Sequence, residues 1–252
     1  MTGLLALTVA GTVAAAWAGT GFIVPWLGRR GLVDRPNERS SHGVPTPRGG
    51  GIAPVAVTLA AWFALALGTG LGRHVALLAA GAILLLVVGW VDDRRGLSRA
   101  LRLAAQAAAV TIGLAALPPA PVLQGVAPPE FDRVVAGLIW LWFLNLYNFM
   151  DGIDGLAAGE TTALGLGSAL AVLVLGQPSS VVPHAVALSG AAAGFLRWNW
   201  PPARVFLGDS GSVALAYLAG WLLLTLAASG AWAAALILPL YHLADPTMTL
   251  AL

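Results

Sequence analysis

The residues equipped for chemistry stand in four short polar segments of an otherwise apolar chain. The first is Gly89-Trp-Val-Asp92-Asp93-Arg94-Arg95, two adjacent carboxylates followed by two arginines. It closes an apolar stretch, where the macrodipole of a helix C-terminus favours cations, so two acids there oppose the local field. The second is Asn145-Leu-Tyr-Asn148-Phe-Met-Asp151-Gly-Ile-Asp154-Gly155, with a polar side chain at every third position. Steps of three keep neighbours on one side of a helix, and Gly152 and Gly155 let the backbone come close to a ligand. Amide and carboxylate oxygens suit a hard divalent cation such as magnesium, which takes one or two protein oxygens and completes its shell with substrate phosphates. The third is Phe206-Leu-Gly208-Asp209-Ser210-Gly211-Ser212, placed to open a helix. There Asp209 or Ser210 is a good N-cap, Asp209 is also a candidate metal ligand, and the free amides of a helix start can receive phosphate. The fourth runs from Asp34 through Asn37, Glu38, Arg39 and His42 to Arg48, and ends in three glycines that permit close backbone approach to an anion.

Everything between these segments is built for hydrocarbon. Of 252 residues, 58% are apolar and only 10% are charged, with a mean hydropathy of +0.83. A soluble domain carries about 25% charged residues, so these charges are too few to coat a water-exposed surface. No cysteine is present, which excludes disulfides and thiolate metal sites. A membrane helix needs ~20 apolar residues. The stretches 3–27, 52–71, 74–91, 101–117, 134–149, 156–176, 183–196, 212–228 and 230–243 predict an all-α, polytopic bundle of about nine spans forming one domain. Residues 118–129 are proline-rich and read as a loop. The first apolar stretch has no basic residues before it and Arg29 and Arg30 after it. It therefore reads as a transmembrane helix with its N-terminus outside.

Arginine sets the orientation. With nine alternating spans, eleven of the thirteen arginines fall on the side where the first helix emerges, and only Arg73 and Arg133 fall opposite. That bias marks the first side as cytoplasmic. Nine of the eleven acids fall on the same side, leaving Glu130 and Asp132 across the membrane. Acids contribute little to orientation, so a shared cytoplasmic site is the reason they gather there.

Taken in order, the segments resemble the polyprenyl-phosphate N-acetylhexosamine-1-phosphate transferases, the enzymes that initiate bacterial cell-wall and O-antigen glycans. The resemblance is carried by Asp34-Arg-Pro-Asn-Glu-Arg with Pro-Arg48-Gly-Gly, by Asp92-Asp93 followed by Ser98-Arg99 and Gln106, by Asn145-x-x-Asn148-x-x-Asp151-Gly-x-Asp154-Gly-Leu-Ala, and by Phe206-x-Gly-Asp209-x-Gly-Ser. It spans about residues 25–250. The ending around His242 and Asp245 is similar to the O-antigen branch. The resemblance implies transfer of a sugar-1-phosphate from a UDP-N-acetylhexosamine to undecaprenyl phosphate at the inner membrane, with release of UMP. It further implies a magnesium cofactor, with manganese as a substitute, held by Asn148 and Asp209. Asp92 or Asp93 would deprotonate or orient the lipid phosphate, Asp151 would support the site, and Asp154 would contact the uridine. Asn145, Arg48, Arg99 and Arg102 complete the expected substrate contacts, the arginines because their fork geometry suits phosphate. A homodimer fits the family, and nucleic acid has no place in this reading.

Members of that family continue past this point with a cytoplasmic loop bearing clustered histidines or a His-Arg motif, then further hydrophobic sequence. The chain is therefore expected to be a C-terminally truncated member, and His242 is not assigned the role of those histidines. Two other readings follow from the same residues. A truncated member could be a folded but inactive remnant. A chain with paired acids could also be a cation transporter, although transporter carboxylates belong at mid-span within inverted repeats. The acids here lie at span ends, and no repeat is visible.

Overall fold

In hydrocarbon every backbone N–H and C=O must be satisfied within its own segment, so apolar stretches of this length become helices. The computed structural model describes residues 2–36, 43–176 and 179–251. Asn37, Glu38, Arg39 and His42 of the first loop lie outside the described residues. Among the described residues ten α-helices follow in order: α1 (Thr2–Arg29), α2 (Ile52–Thr69), α3 (Gly72–Arg95), α4 (Arg99–Leu114), α5 (Pro129–Met150), α6 (Leu156–Val174), α7 (Val182–Asn199), α8 (Asp209–Ala228), α9 (Trp232–Ile237) and α10 (Leu240–Ala251). Two short strands, β1 (Val33–Asp34) and β2 (Thr46–Pro47), pair antiparallel in the first loop. The protein is an all-α polytopic membrane protein.

Six of these helices, α1, α2, α3, α5, α6 and α8, are long and apolar enough to cross a membrane. α4, with 16 residues, and α7, with 18, lie in the same bundle without meeting both conditions. Eight of the nine expected stretches thus map onto single helices. The ninth, 230–243, does not: it breaks at Leu238–Pro239 into α9 and α10. Pro239 has no amide to continue the helical ladder, and its ring crowds the carbonyl one turn back.

α8 is the axis of the bundle. Every residue from Ser210 to Ala228 is buried, and the helix packs on α2, α3, α5, α6, α7 and α9. A helix apolar on all sides is stable only when surrounded. Small residues allow the close approach: a Cβ at Gly220 would enter the Trp140 ring, and one at Gly81 would enter the Tyr217 ring. Trp140 and Tyr217 stack at 4.8 Å. The buried indoles are satisfied. Trp140 donates to the Tyr217 carbonyl at 3.2 Å, Trp221 to that of Ala116 at 3.0 Å, and Trp62 to that of His184 at 2.8 Å. The proline-rich segment between α4 and α5 is a loop, pinned where Asp132 accepts from the amides of Val122 and Leu123.

Candidate active site

Chain direction brings the C-termini of α3 and α5 and the N-termini of α4 and α8 to one end of the bundle. Gly89 lets α3 cross the start of α8: a Cβ there would collide with the Asp209–Ser210 backbone. One helical turn later come Asp92 and Asp93, and they part company. Asp93 turns toward α8 and accepts from the Asp209 amide at 3.0 Å, the Ser210 amide at 3.1 Å and the Ser210 hydroxyl at 2.9 Å. The Nε of Arg48 adds an ion pair at 2.8 Å, and the Asp93 side chain is 2% exposed. Asp93 therefore caps α8 from another helix. Its charge, unfavourable at the end of α3, lies at the positive N-terminus of α8. Neither Asp209 nor Ser210 caps α8 with its own side chain; the N-cap is Gly208, at φ +72°, which a Cβ would push into the Asp93 carboxylate.

Asp92 turns the other way. It accepts from the Leu97 amide, bracing the Gly96 turn into α4, and pairs with Nη1 of Arg102 at 3.2 Å. Ser98 caps α4 by accepting from the Leu101 amide, which sets Arg99 and Arg102 on the helix's first turn. The same Arg102 nitrogen lies 3.5 Å from Asp209, whose other oxygen takes Nη2 of Arg48 at 2.9 Å. Asn148 donates to Asp209 at 3.3 Å and to the Ser212 hydroxyl at 2.7 Å. Asn145 donates to Gln106 of α4 at 2.9 Å. Asp92, Arg99, Arg102, Gln106, Asn145, Asn148 and Asp209 line one cavity of about 270 Å³. Gln106 and Ser212 stand in the quoted motifs without an assigned role; the structure puts Gln106 on the cavity wall and Ser212 behind it, against Asn148. Their spacing carried a signal as well, one in register with Arg99 and Arg102 on α4, the other one turn beyond Gly208.

The every-third-residue array is not one helical stripe. α5 ends at Met150, Asp151 is its C-cap, and α6 begins after Gly155 at φ +76°. Only Asn145 and Asn148 share a helix face. Asp154 accepts from the Ala203 amide at 2.9 Å, and Asn199 accepts from the Gly155 amide at 3.0 Å, so these residues tie the α5–α6 turn to the segment before α8. Neither Asp151 nor Asp154 lines the cavity. Burial holds the Asp151 carboxyl well above the usual carboxylate range; Asp209 and Asp93 push the same way and Arg48 opposes them.

The glycine run does not present its amides to an anion. Gly49 and Gly50 donate to the Phe206 carbonyl and Gly51 to that of Leu207. The close approach is to the protein itself, because Gly51 meets Gly211 backbone to backbone. This clamp delivers Arg48 to Asp93 and Asp209. For the Arg48 guanidinium, burial opposes the charge, and the carboxylates of Asp93, Asp209 and Asp34 outweigh it. His242 is fully buried with Nδ1 3.6 Å from Glu160 and does not line the cavity.

The donor set suits a hard cation. Two carboxylates, Asp92 and Asp209, already converge on one positive position, taken here by Arg102, and the Asn148 amide adjoins it. Among the described residues no three His, Cys, Asp or Glu side chains are grouped to hold a metal alone.

The structure is thus a polytopic bundle with acids, amides and arginines around a cavity at one end. Residues 75–227 match the family described as Glycosyl transferase family 4. The decaprenyl-phosphate N-acetylglucosaminephosphotransferase of Mycolicibacterium smegmatis is 35% identical over 243 residues, covering 85% of this chain and 58% of the relative. The phospho-N-acetylmuramoyl-pentapeptide-transferase of Trichormus variabilis is 34% identical, covering 81% and 60%. A probable undecaprenyl-phosphate N-acetylglucosaminyl 1-phosphate transferase of Bacillus subtilis is 30% identical, covering 74% and 53%. The chain belongs to glycosyl transferase family 4. It spans 53–60% of the length of these relatives.

Proposed function

We propose that the protein transfers N-acetylhexosamine-1-phosphate from a UDP-sugar to undecaprenyl phosphate at the cytoplasmic face, releasing UMP. The observation that carries this reading is the convergence of Asp92, Asn148 and Asp209 with Arg99 and Arg102 on one cavity at the end of the bundle. Relatives whose names specify polyprenyl-phosphate sugar-phosphate transfer support it. The arginine excess on the side carrying the site supports the cytoplasmic orientation.

In the proposed reaction an oxygen of the lipid phosphate attacks the sugar-bearing phosphorus of the donor. A new P–O–P link forms, the donor's own P–O–P link breaks, and the electron pair leaves with UMP. Phosphoryl transfer of this kind depends on positioning and charge neutralisation. Asp92, on the cavity wall and braced by Leu97, takes the proton of a monoprotonated lipid phosphate or orients the dianion. Asp93 is committed to α8, so its role is positioning. Asn148 and Asp209, with Asp92 beside them, would hold magnesium, which neutralises the diphosphate and stabilises the departing phosphate. Arg99 and Arg102 receive phosphate oxygens. Arg102 then exchanges its carboxylates for the substrate, a swap between two anionic partners.

The test is UMP release from the chain in lipid nanodiscs with undecaprenyl phosphate, magnesium and a panel of UDP-N-acetylhexosamines. UMP formed with one donor, and lost both with EDTA and in Asp209→Asn, is the expected result. No UMP with any donor from folded protein, or turnover unaffected by EDTA, overturns it.

A further inference from the structure

Outside the cavity, two helices reach the same membrane face with one shared pattern. Phe22 and Trp26 on α1 and Arg30 just past its end follow at intervals of four; on α3, Trp90 and Arg94 do the same, with Val87 one turn earlier. The two indoles stack with centroids 5.7 Å apart and planes inclined by 19°. The Arg30 guanidinium lies 5.5 Å from the Trp26 ring centre, and that of Arg94 lies 5.8 Å from the Trp90 ring centre. Both arginines are exposed, and among the described residues neither has a carboxylate partner. The base of the stack is fixed, because Trp90 packs on Gly49, where a Cβ would come within 3.2 Å of the ring.

Polarity rises in steps along both tracks. Phe22, 80% exposed, and Val87, 51% exposed, face outward below the indoles, and the guanidinium groups stand one turn above them. Indoles settle at headgroup level and arginine forks receive phosphate. The sequence from acyl contact to aromatic belt to cation therefore matches the profile of a phospholipid from chain to headgroup. A soluble phosphate would leave the outward Phe22 and Val87 without a partner. None of these residues lines the cavity.

We propose that the Arg30–Trp26–Trp90–Arg94 ladder binds the phosphodiester headgroup of an anionic phospholipid, phosphatidylglycerol in the simplest case, as a site distinct from the catalytic cavity. The inference rests on the membrane-spanning fold and is independent of the transferase reading. It is tested by native mass spectrometry of the detergent-extracted chain titrated with phosphatidylglycerol or with phosphatidylcholine. The first phosphatidylglycerol should bind in preference to phosphatidylcholine, and Arg30→Gln with Arg94→Gln should weaken it by about tenfold or more. Arg29→Gln with Arg95→Gln removes the same charge from neighbouring exposed positions and should change it by no more than about twofold. All four positions are exposed, so loss of fold does not blur the comparison. Equal losses in the two double variants would reduce the ladder to part of a general basic surface. No loss in either, or displacement of the bound phosphatidylglycerol by equimolar undecaprenyl phosphate, would also overturn the proposal.

Discussion

Asp92 and Asp93 are adjacent in sequence and opposite in role, and isosteric substitution should separate them. Asp93→Asn keeps the shape but turns a carboxylate that accepts from three α8 donors and one guanidinium nitrogen into an amide with a single acceptor oxygen. A helix cap is worth ~1 kcal/mol. Hydrogen bonds to a charged group are worth ~1.5–3 kcal/mol each. The Arg48 ion pair adds little to this sum because the Arg48 side chain is 39% exposed. With about half of the set retained, Asp93→Asn should cost roughly 3 kcal/mol, a fall in melting temperature on the order of 10 °C. Asp92→Asn gives up a pairing with the 38%-exposed Arg102 and weakens one hydrogen bond from Leu97, so its cost should be ~1 kcal/mol. Its effect belongs to catalysis, where losing a proton acceptor or orienting group costs ~10²–10⁴ in rate. The assay pairs tryptophan-fluorescence melting in nanodiscs with UMP release on the same preparations. If Asp92→Asn melts as low as Asp93→Asn, or Asp93→Asn melts like the parent while losing turnover, the division of roles argued here is wrong.

Two further outcomes follow from the geometry. Gly51→Ala should destabilise by ~1–3 kcal/mol through its collision with Gly211, whereas Gly68→Ala, with open space at its Cβ, should be neutral or stabilising by up to ~1 kcal/mol; melting curves of the two variants decide this. Asp151, whose carboxyl pKa is raised in the folded chain, should make stability full below the ordinary carboxylate range and lower as pH rises toward the raised value, because the folded chain keeps a proton the unfolded chain releases. Asp151→Asn should remove that slope, and unchanged pH dependence of melting would contradict it.

The sequence by itself determined the medium, the elements and the end of the bundle where the chemistry collects. Hydropathy does this because a bilayer leaves the backbone almost no choice but helix, and arginine placement shows on which side the polar ends gather. The residue types of the candidate site were legible for the same reason: a carboxylate or amide at membrane level is costly and stands out against an apolar background. What only the tertiary structure decided is which polar group faces which partner. Nothing local distinguishes Asp92 from Asp93; the difference arises because Gly89 lets α3 cross α8 and one of two adjacent side chains must then point into that crossing. The period-three array looked like one stripe, yet its last member, Asp154, ties down a turn together with Gly155, because these two find partners in Ala203 and Asn199, more than forty residues away. The glycine run invited an anion, yet its amides went to Phe206 and Leu207. Such pairings join segments far apart in the chain, and periodicity reports only on neighbours within a turn or two.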